Sequence, residues 1–305
     1  MPLKSRTESK EFRIMKSLNG RMQLSSDDKQ HYLNLKKGYE GEVKFDSLTA
    51  SLDSKFYILN DLLLKSNNTT FQIDSLLITQ ALIILCEVKN YEGDYYYKDD
   101  GFYMCTNSKE ITNPLHQLHR SETLLRQLLQ KQGFNLPIDG NLIFIHPEFF
   151  LYQAPQNKQI IFSPQLPSFM KNLSAKPSNL NGNQRKIADF LLSAHITDSP
   201  YTQVPTYEYG GLRKGCKCGV CDSFDVICGE RKIRCMNCGS EETIELAVLR
   251  STEEFILLFP KQRITTNMIH DWCKVVKYKK RIRNILLTRY ILVGHGKYSY
   301  FETTK

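Results

Sequence analysis

The chain of 305 residues has no uninterrupted apolar run near the ~20 residues that a membrane span needs. Its first 24 residues scatter charges along their length and hold no apolar stretch of the kind that marks a secretion signal. Cysteine is sparse at nine residues, too few for a disulfide framework, and these thiols are read instead as metal ligands or reduced side chains. Neither glycine nor proline is enriched, and 41% hydrophobic with 24% charged residues is an ordinary globular composition, which excludes a wholly disordered or collagen-like chain. The expectation is a cytoplasmic protein of two or more domains, with no membrane partner. Oligomeric state stays open.

What is present is unevenly distributed. The formal net charge is +9, and residues 261–305 alone hold 11 Lys/Arg against 2 Asp/Glu. The rest of the chain is close to neutral. A basic block of this kind favours a polyanion, with DNA the preferred choice, over a merely solvated tail. Residues 1–24 read as a loosely ordered lead, and 25–196 as an α/β domain. That domain opens with a helix from Ser25–Asp27 to about Leu52, whose face would be Leu33, Leu35, Tyr39, Val43 and Leu48. Strands follow at Lys55–Leu64, Phe71–Thr79 and Leu82–Lys89, the last two as a deeply buried hairpin. A short pair, Tyr95–Tyr97 and Gly101–Met104, turns at Asp99-Asp100-Gly101. Asn113-Pro114 opens a helix that Gly133 stops. Asn141–Ile145 and Ile160–Phe162 complete the strands, before helices at 166–173 and 184–195. Residues 197–212 read as a linker, containing Pro200 and Pro205.

On a strand, residues two apart share a face, so Glu87 and Lys89 project together, and an antiparallel neighbour can bring Asp74 beside them. Two carboxylates with an ammonium suit a hard cation that keeps waters, Mg²⁺ or Mn²⁺. Such an ion would acidify water and neutralise phosphodiester charge. The competing reading is a buried salt bridge of Lys89 with the two acids, since D-x(n)-E-x-K is a loose pattern.

The surrounding residues are more specific. KGYEGE (Lys37–Glu42), QIDSLLIT (Gln72–Thr79), ILCEVKNYEGDYY (Ile84–Tyr96), NPLHQ (Asn113–Gln117) and GNLIFIHP (Gly140–Pro147) occur in this order. Over residues 35–165 the chain resembles the nuclease-related domain (NERD), a relative of the PD-(D/E)XK nucleases. The resemblance implies an α/β, restriction-endonuclease-like core, a mixed sheet flanked by helices. It implies Asp74 and Glu87 as metal ligands, Lys89 orienting the nucleophilic water, Glu42 as an outer carboxylate, and Gln117 facing the same site. Ile73 and Ser75 flank the aspartate, so the superfamily's proline is absent. Glu40, His116, His119 and the tyrosines 91, 95, 96 and 97 are weaker candidates for contacts to nucleic acid. Cys86 and Cys105 read as core thiols.

Cys218-Gly-Val-Cys221 and Cys235-Met-Asn-Cys238 have the spacing of a closed tetrahedral Zn²⁺ site, and residues 213–250 read as a zinc ribbon with one structural zinc. Cys216 could replace Cys218, and Cys228 falls within a strand. Residues 261–305 then offer two short helices and a hairpin, similar to a winged helix-turn-helix. Its expected nucleic-acid contacts are Lys274, Lys277, Lys279, Lys280, Arg281, Arg283, Arg289 and Lys297. Together these readings point to a metal-dependent endonuclease on DNA. A non-catalytic nucleic-acid-binding protein that keeps the nuclease fold is the alternative, and a zinc-dependent scaffold that binds protein is a third.

Overall fold

The structure, a computed structural model, describes residues 2–52, 56–177, 179–199 and 201–303, with Lys297 described in its backbone alone. Lys55, Pro200 and the Lys297 side chain therefore lie outside the described residues. The chain forms two compact units: residues 1–9 with 33–201, and residues 10–32 with 202–305. Two helices open it, α1 (Lys10–Arg21) and α2 (Ser26–Thr49). The lead expected to be loose is thus helical, because Phe12, Ile14, Met15 and Leu18 recur at helical spacing and bury one face.

In the first unit, β1 (Tyr57–Ser66), β2 (Thr69–Ile78) and β3 (Ile83–Lys89) form an antiparallel meander. A second small sheet interrupts the path: β4 (Gly93–Lys98), β5 (Gly101–Met104) and β6 (Glu110–Ile111). Asp99 and Asp100 both take positive φ, 48° and 63°, as a tight hairpin turn requires. Helix α3 (Pro114–Gln130) follows, then β7 (Ile138–Phe144), β8 (Phe149–Tyr152) and β9 (Ile160–Phe162), and helices α4 (Leu166–Ser174) and α5 (Gly182–Ala194). The main sheet runs β1-β2-β3-β7-β9, with β7 parallel to β3 and β9 parallel to β7. The second sheet runs β6-β5-β4-β8.

Alternation along β3 divides the core into two layers. Ile83 and Leu85 face a layer with Leu118 and Leu125 of α3 and Ile187 and Leu191 of α5. Ile84, Cys86 and Val88 face the opposite layer, with Phe45 of α2 and Leu166 and Leu173 of α4. The result is a mixed sheet with helices on both faces. The inward face of α2 differs from the expected one. Gly41, Phe45 and Thr49 are buried, four residues apart, whereas Leu33, Val43 and Leu48 are exposed. Cys105 is exposed too, since it follows β5 into a turn rather than entering the core.

In the second unit, β10 (Val226–Cys228), β11 (Lys232–Cys235) and β12 (Glu241–Thr243) make an antiparallel sheet. Helix α6 (Ile244–Leu258) begins directly after it, capped by the Thr243 hydroxyl on Leu246 N. The ribbon-like segment therefore ends near 243 rather than at 250. Helices α7 (Thr266–Cys273) and α8 (Lys279–Leu287) precede the hairpin of β13 (Tyr290–Val293) and β14 (Tyr300–Thr303), and an isolated bridge joins Ile264 to Phe301. Helix, bridge strand, two helices and hairpin are the element order of a winged helix. Its core gathers Phe255, Ile269, Trp272, Ile282 and Leu286, and Ile14 and Leu18 of α1 belong to the same cluster.

Candidate active site

A local irregularity shared by two strands builds the site. Leu59 and Leu62 of β1, an odd and an even residue, both face the same core layer, as do Leu76 and Ile73 of β2. The alternation slips at Asp61, whose φ is 56°, opposite Asp74. The β2–β3 ladder ends at the pair Ser75–Cys86. One step further the Asp74 carboxylate replaces the backbone, with Oδ2 accepting from Val88 N at 2.8 Å. Strand divergence thus turns Asp74 toward β3 and leaves it buried at 7% exposure.

Glu87 and Lys89 lie on one face of β3, as their spacing requires. Lys89 Nζ donates to Glu87 Oε1 at 2.8 Å and to Gln117 Oε1 at 2.9 Å. Gln117 reaches it from the first turn of α3, which starts where Asn113 Oδ1 accepts from Leu115 N with Pro114 at the first position. Glu87 is 1% exposed, and its other oxygen, Oε2, has no hydrogen-bond partner. An orphaned buried carboxylate oxygen is expensive unless something absent from the apoprotein fills the place.

Glu42 approaches on α2. The helix comes close to the end of β3 because residue 41 is glycine: a Cβ there would lie 2.4 Å from Asn90 Cβ. Glu42 Oε2 receives Arg6 Nη1 at 2.5 Å. The same guanidinium binds both oxygens of Asp46 at 2.9 and 3.0 Å and donates to the Asp74 carbonyl at 2.6 Å. Nothing in the polar opening of the sequence marked Arg6 for this place.

The electrostatics agree across the three acids. Burial, reinforced by the Asp74 charge, pushes Glu87 up to about 7 and Glu42 up to about 8. Asp74 is raised by burial against the pull of Lys89 and the Val88 N–H. Burial works to lower Lys89, yet Glu87 and Asp74 hold it above its ordinary value. Burial is the first cause for all three carboxyls, and a bound divalent ion would relieve that penalty on their ionised forms. Its acids are spread rather than clustered. Among the described residues, no set of three acids or histidines brings its ligand atoms within 4.8 Å of one another. Mg²⁺ does not need that, since it takes one or two carboxylates and completes its shell with water and phosphate.

The weaker candidates find ordinary places. Glu40 is exposed beside Lys36, His116 pairs with Asp100 at 2.7 Å, and His119 meets Gln159 at 3.0 Å. Tyr95 is buried, and Tyr91 and Tyr97 pack on the same core layer, whereas Tyr96 stacks on Tyr103 with ring centroids 5.1 Å apart.

In the second unit, the ligand atoms of Cys218, Cys221, Cys235 and Cys238 all lie within 4.8 Å of one another. The Cys218–Cys238 and Cys221–Cys235 sulfurs are each 3.6 Å apart. A tetrahedron with Zn–S bonds of about 2.3 Å has sulfurs about 3.8 Å apart, so the four thiols fit zinc closely. Val220 N points at Cys218 Sγ at 3.3 Å, and Gly239, with φ 73°, turns the chain after the second pair. Cys216 is buried apart from them against Ser251, and Cys228 is exposed on β10.

Of the basic candidates, Lys274, Lys277, Lys279, Lys280 and Arg289 are exposed, and Arg281 and Arg283 are half-buried. Lys274 pairs with Asp271 at 3.3 Å and Arg289 with Glu253 at 2.8 Å. Ile282, Ile285 and Leu286 hold α8 by its apolar side.

Residues 37–145 match the family described as the nuclease-related domain, NERD. This part of the chain is a nuclease-related domain with a PD-(D/E)XK-like mixed α/β fold, and Glu42, Asp74, Glu87, Lys89 and Gln117 all fall within it. A search of curated proteins and a search of solved structures found no match. Among the described residues, no helix is long and apolar enough to cross a membrane.

Proposed function

We propose that the protein is a divalent-metal-dependent nuclease that hydrolyses phosphodiester bonds in DNA. The observation that carries this reading is Glu87: Lys89, itself held by Gln117, binds its Oε1, the Asp74 charge acts on it from the neighbouring strand, and its buried Oε2 has no hydrogen-bond partner. Asp74 and Glu87 would hold Mg²⁺ or Mn²⁺, which when bound supplies an acidified water and neutralises phosphate charge. Lys89, fixed between Glu87 and Gln117, orients the attacking water. Gln117 prevents the ammonium from swinging away, and Glu42 accepts a hydrogen bond from water at the outer edge.

Four thiolates leave no open position on a zinc ion, so zinc at Cys218, Cys221, Cys235 and Cys238 is structural. The ribbon and the winged-helix-like module carry the chain to DNA, with α8 and its lysines toward the phosphates. Nine cysteines outside any disulfide, four of them assigned to zinc, fit a reducing compartment, the cytoplasm.

The test is incubation of the purified protein with plasmid DNA, single-stranded DNA and RNA in Mg²⁺ or Mn²⁺, beside Lys89→Ala. Cleavage of DNA that Lys89→Ala loses supports the reading. DNA binding without cleavage of any substrate would leave a binding protein that retains the nuclease fold.

A further inference from the structure

The two cations nearest the outer acids come from neither of the strands that carry the motif. They come from the first nine residues. This segment runs beside β1, with Leu3 N donating to Ile58 O at 2.8 Å and Asn60 N to Lys4 O at 2.9 Å. From that anchored stretch Lys4 Nζ reaches the carbonyls of Asn60 and Asp61, at 2.8 and 2.6 Å, with the Asp61 carboxylate 3.9 Å away. Arg6 turns inward to Glu42, Asp46 and the Asp74 carbonyl, its side chain 3% exposed.

A buried guanidinium with this many partners is a fixed part of the site. Arg6 holds Glu42 by Oε2 and ties that residue to Asp46 on the next turn of α2 and to the backbone of Asp74. Its rigid fork matches the two oxygens of Asp46, a geometry lysine cannot reproduce. The charge count is equally specific. Counted as ionised, as they would be with a metal ion bound, the mutually interacting Glu42, Asp46, Asp61, Asp74 and Glu87 are set against Lys4, Arg6 and Lys89. Five acids against three cations leave two negative charges, which one divalent ion cancels and two would overturn.

Resting on the nuclease reading above, we propose that Arg6 is a positioning residue of the candidate active site. Its guanidinium orients Glu42 and already occupies Glu42 Oε2 and both oxygens of Asp46, acids a second cation would need, so the site takes a single divalent ion. The N-terminal segment is then a working part of the nuclease site, outside the residues that match the family.

Manganese bound per chain, counted by electron paramagnetic resonance and calorimetry on the full-length protein, tests this independently of cleavage. The wild type should hold one Mn²⁺ that Asp74→Asn removes. Arg6→Gln frees Glu42 and Asp46 and leaves three negative charges, one more than a single Mn²⁺ cancels, so it should take up a second Mn²⁺ that the wild type does not and cut plasmid DNA at least tenfold more slowly. Arg6→Lys should keep one Mn²⁺, because the charge remains, and still cut at least tenfold more slowly, because the fork is lost. Two Mn²⁺ in the wild type, one in Arg6→Gln, or wild-type cleavage by either variant overturns the inference. If Arg6→Gln does not fold, as a thermal melt would reveal, the Mn²⁺ count of the wild type decides the single ion and the cleavage rate of Arg6→Lys decides the positioning role. A wild type without any Mn²⁺ that Asp74→Asn abolishes sinks the nuclease reading itself. Loss of Mn²⁺ in Asp74→Asn, with the Arg6 variants behaving as wild type, sinks only the role of Arg6.

Discussion

Replacing Glu87 by glutamine separates a metal site from a structural salt bridge, because the two assign opposite signs to its effect on stability. Glu87 is 1% exposed and its carboxyl is raised from 4.5 to about 7. At about 1.4 kcal/mol per unit, the ionised form strains the folded metal-free protein by about 3 kcal/mol at alkaline pH. The sign follows from linkage. Between 4.5 and about 7 the folded state holds a proton that the unfolded state has lost, so stability falls as pH rises through that window and levels off above it. Glu87→Gln keeps the shape without the charge and leaves Lys89 with Asp74 and Gln117. In metal-free protein at pH 8 its melting temperature should therefore exceed the wild type's, by up to about 5–10 °C. The gain should shrink toward nothing near pH 4.5. Added Mn²⁺ should raise the wild type's melting temperature at pH 8 and leave the variant's unchanged. A salt-bridge role predicts the reverse, a loss of about 3–5 kcal/mol on removing one partner. A variant that melts well below the wild type at pH 8, together with a wild type indifferent to Mn²⁺, would refute the metal-site reasoning. Scanning calorimetry at three pH values, with and without Mn²⁺, measures all of these quantities.

Elemental analysis should find about one zinc per chain, and a strong chelator should unfold the β10–β12 sheet, read as loss of amide protection over residues 213–243; a zinc-free protein with that protection intact would contradict it. Neutralising Lys279, Lys280, Arg281 and Arg283 together should weaken DNA binding and lower the salt slope by about 0.9 for each phosphate left without its cation, measured by anisotropy in graded KCl, and an unchanged slope would assign DNA to another surface. Deleting residues 261–305 would be a poor substitute, because Trp272, Ile282 and Leu286 belong to the core. Gly41→Ala should push α2 away from Asn90, destabilising the first unit by about 1–3 kcal/mol and lowering cleavage more than a surface Gly→Ala control does; wild-type cleavage would mean that Glu42 needs no close approach.

The features that could be read in advance are those written in local period and local chemistry. β3 was legible because a strand buried on both faces is apolar throughout, so Glu87 and Lys89 stood out against Ile83–Cys86. The start of α3 was legible from one dipeptide, Asn113-Pro114, and that start delivers Gln117 to Lys89. The four thiols were legible because a knuckle fixes its own spacing. The inner face of α2 was misread because three of its four aliphatic side chains, Leu33, Val43 and Leu48, are exposed, while Gly41, Phe45 and Thr49 turn inward. Gly41 is there for the approach of Asn90, a neighbour distant in sequence. Arg6 lies beyond any local pattern: its partners are 36, 40 and 68 residues away. Its presence beside Glu42 is a property of the folded chain, produced when the first residues align with β1. On the proposed reading the motif residues provide the reactive groups, while Arg6, which belongs to no motif, holds Glu42 in place. The nuclease pattern alone therefore leads to the acids and misses the guanidinium that binds Glu42 and Asp46 beside them.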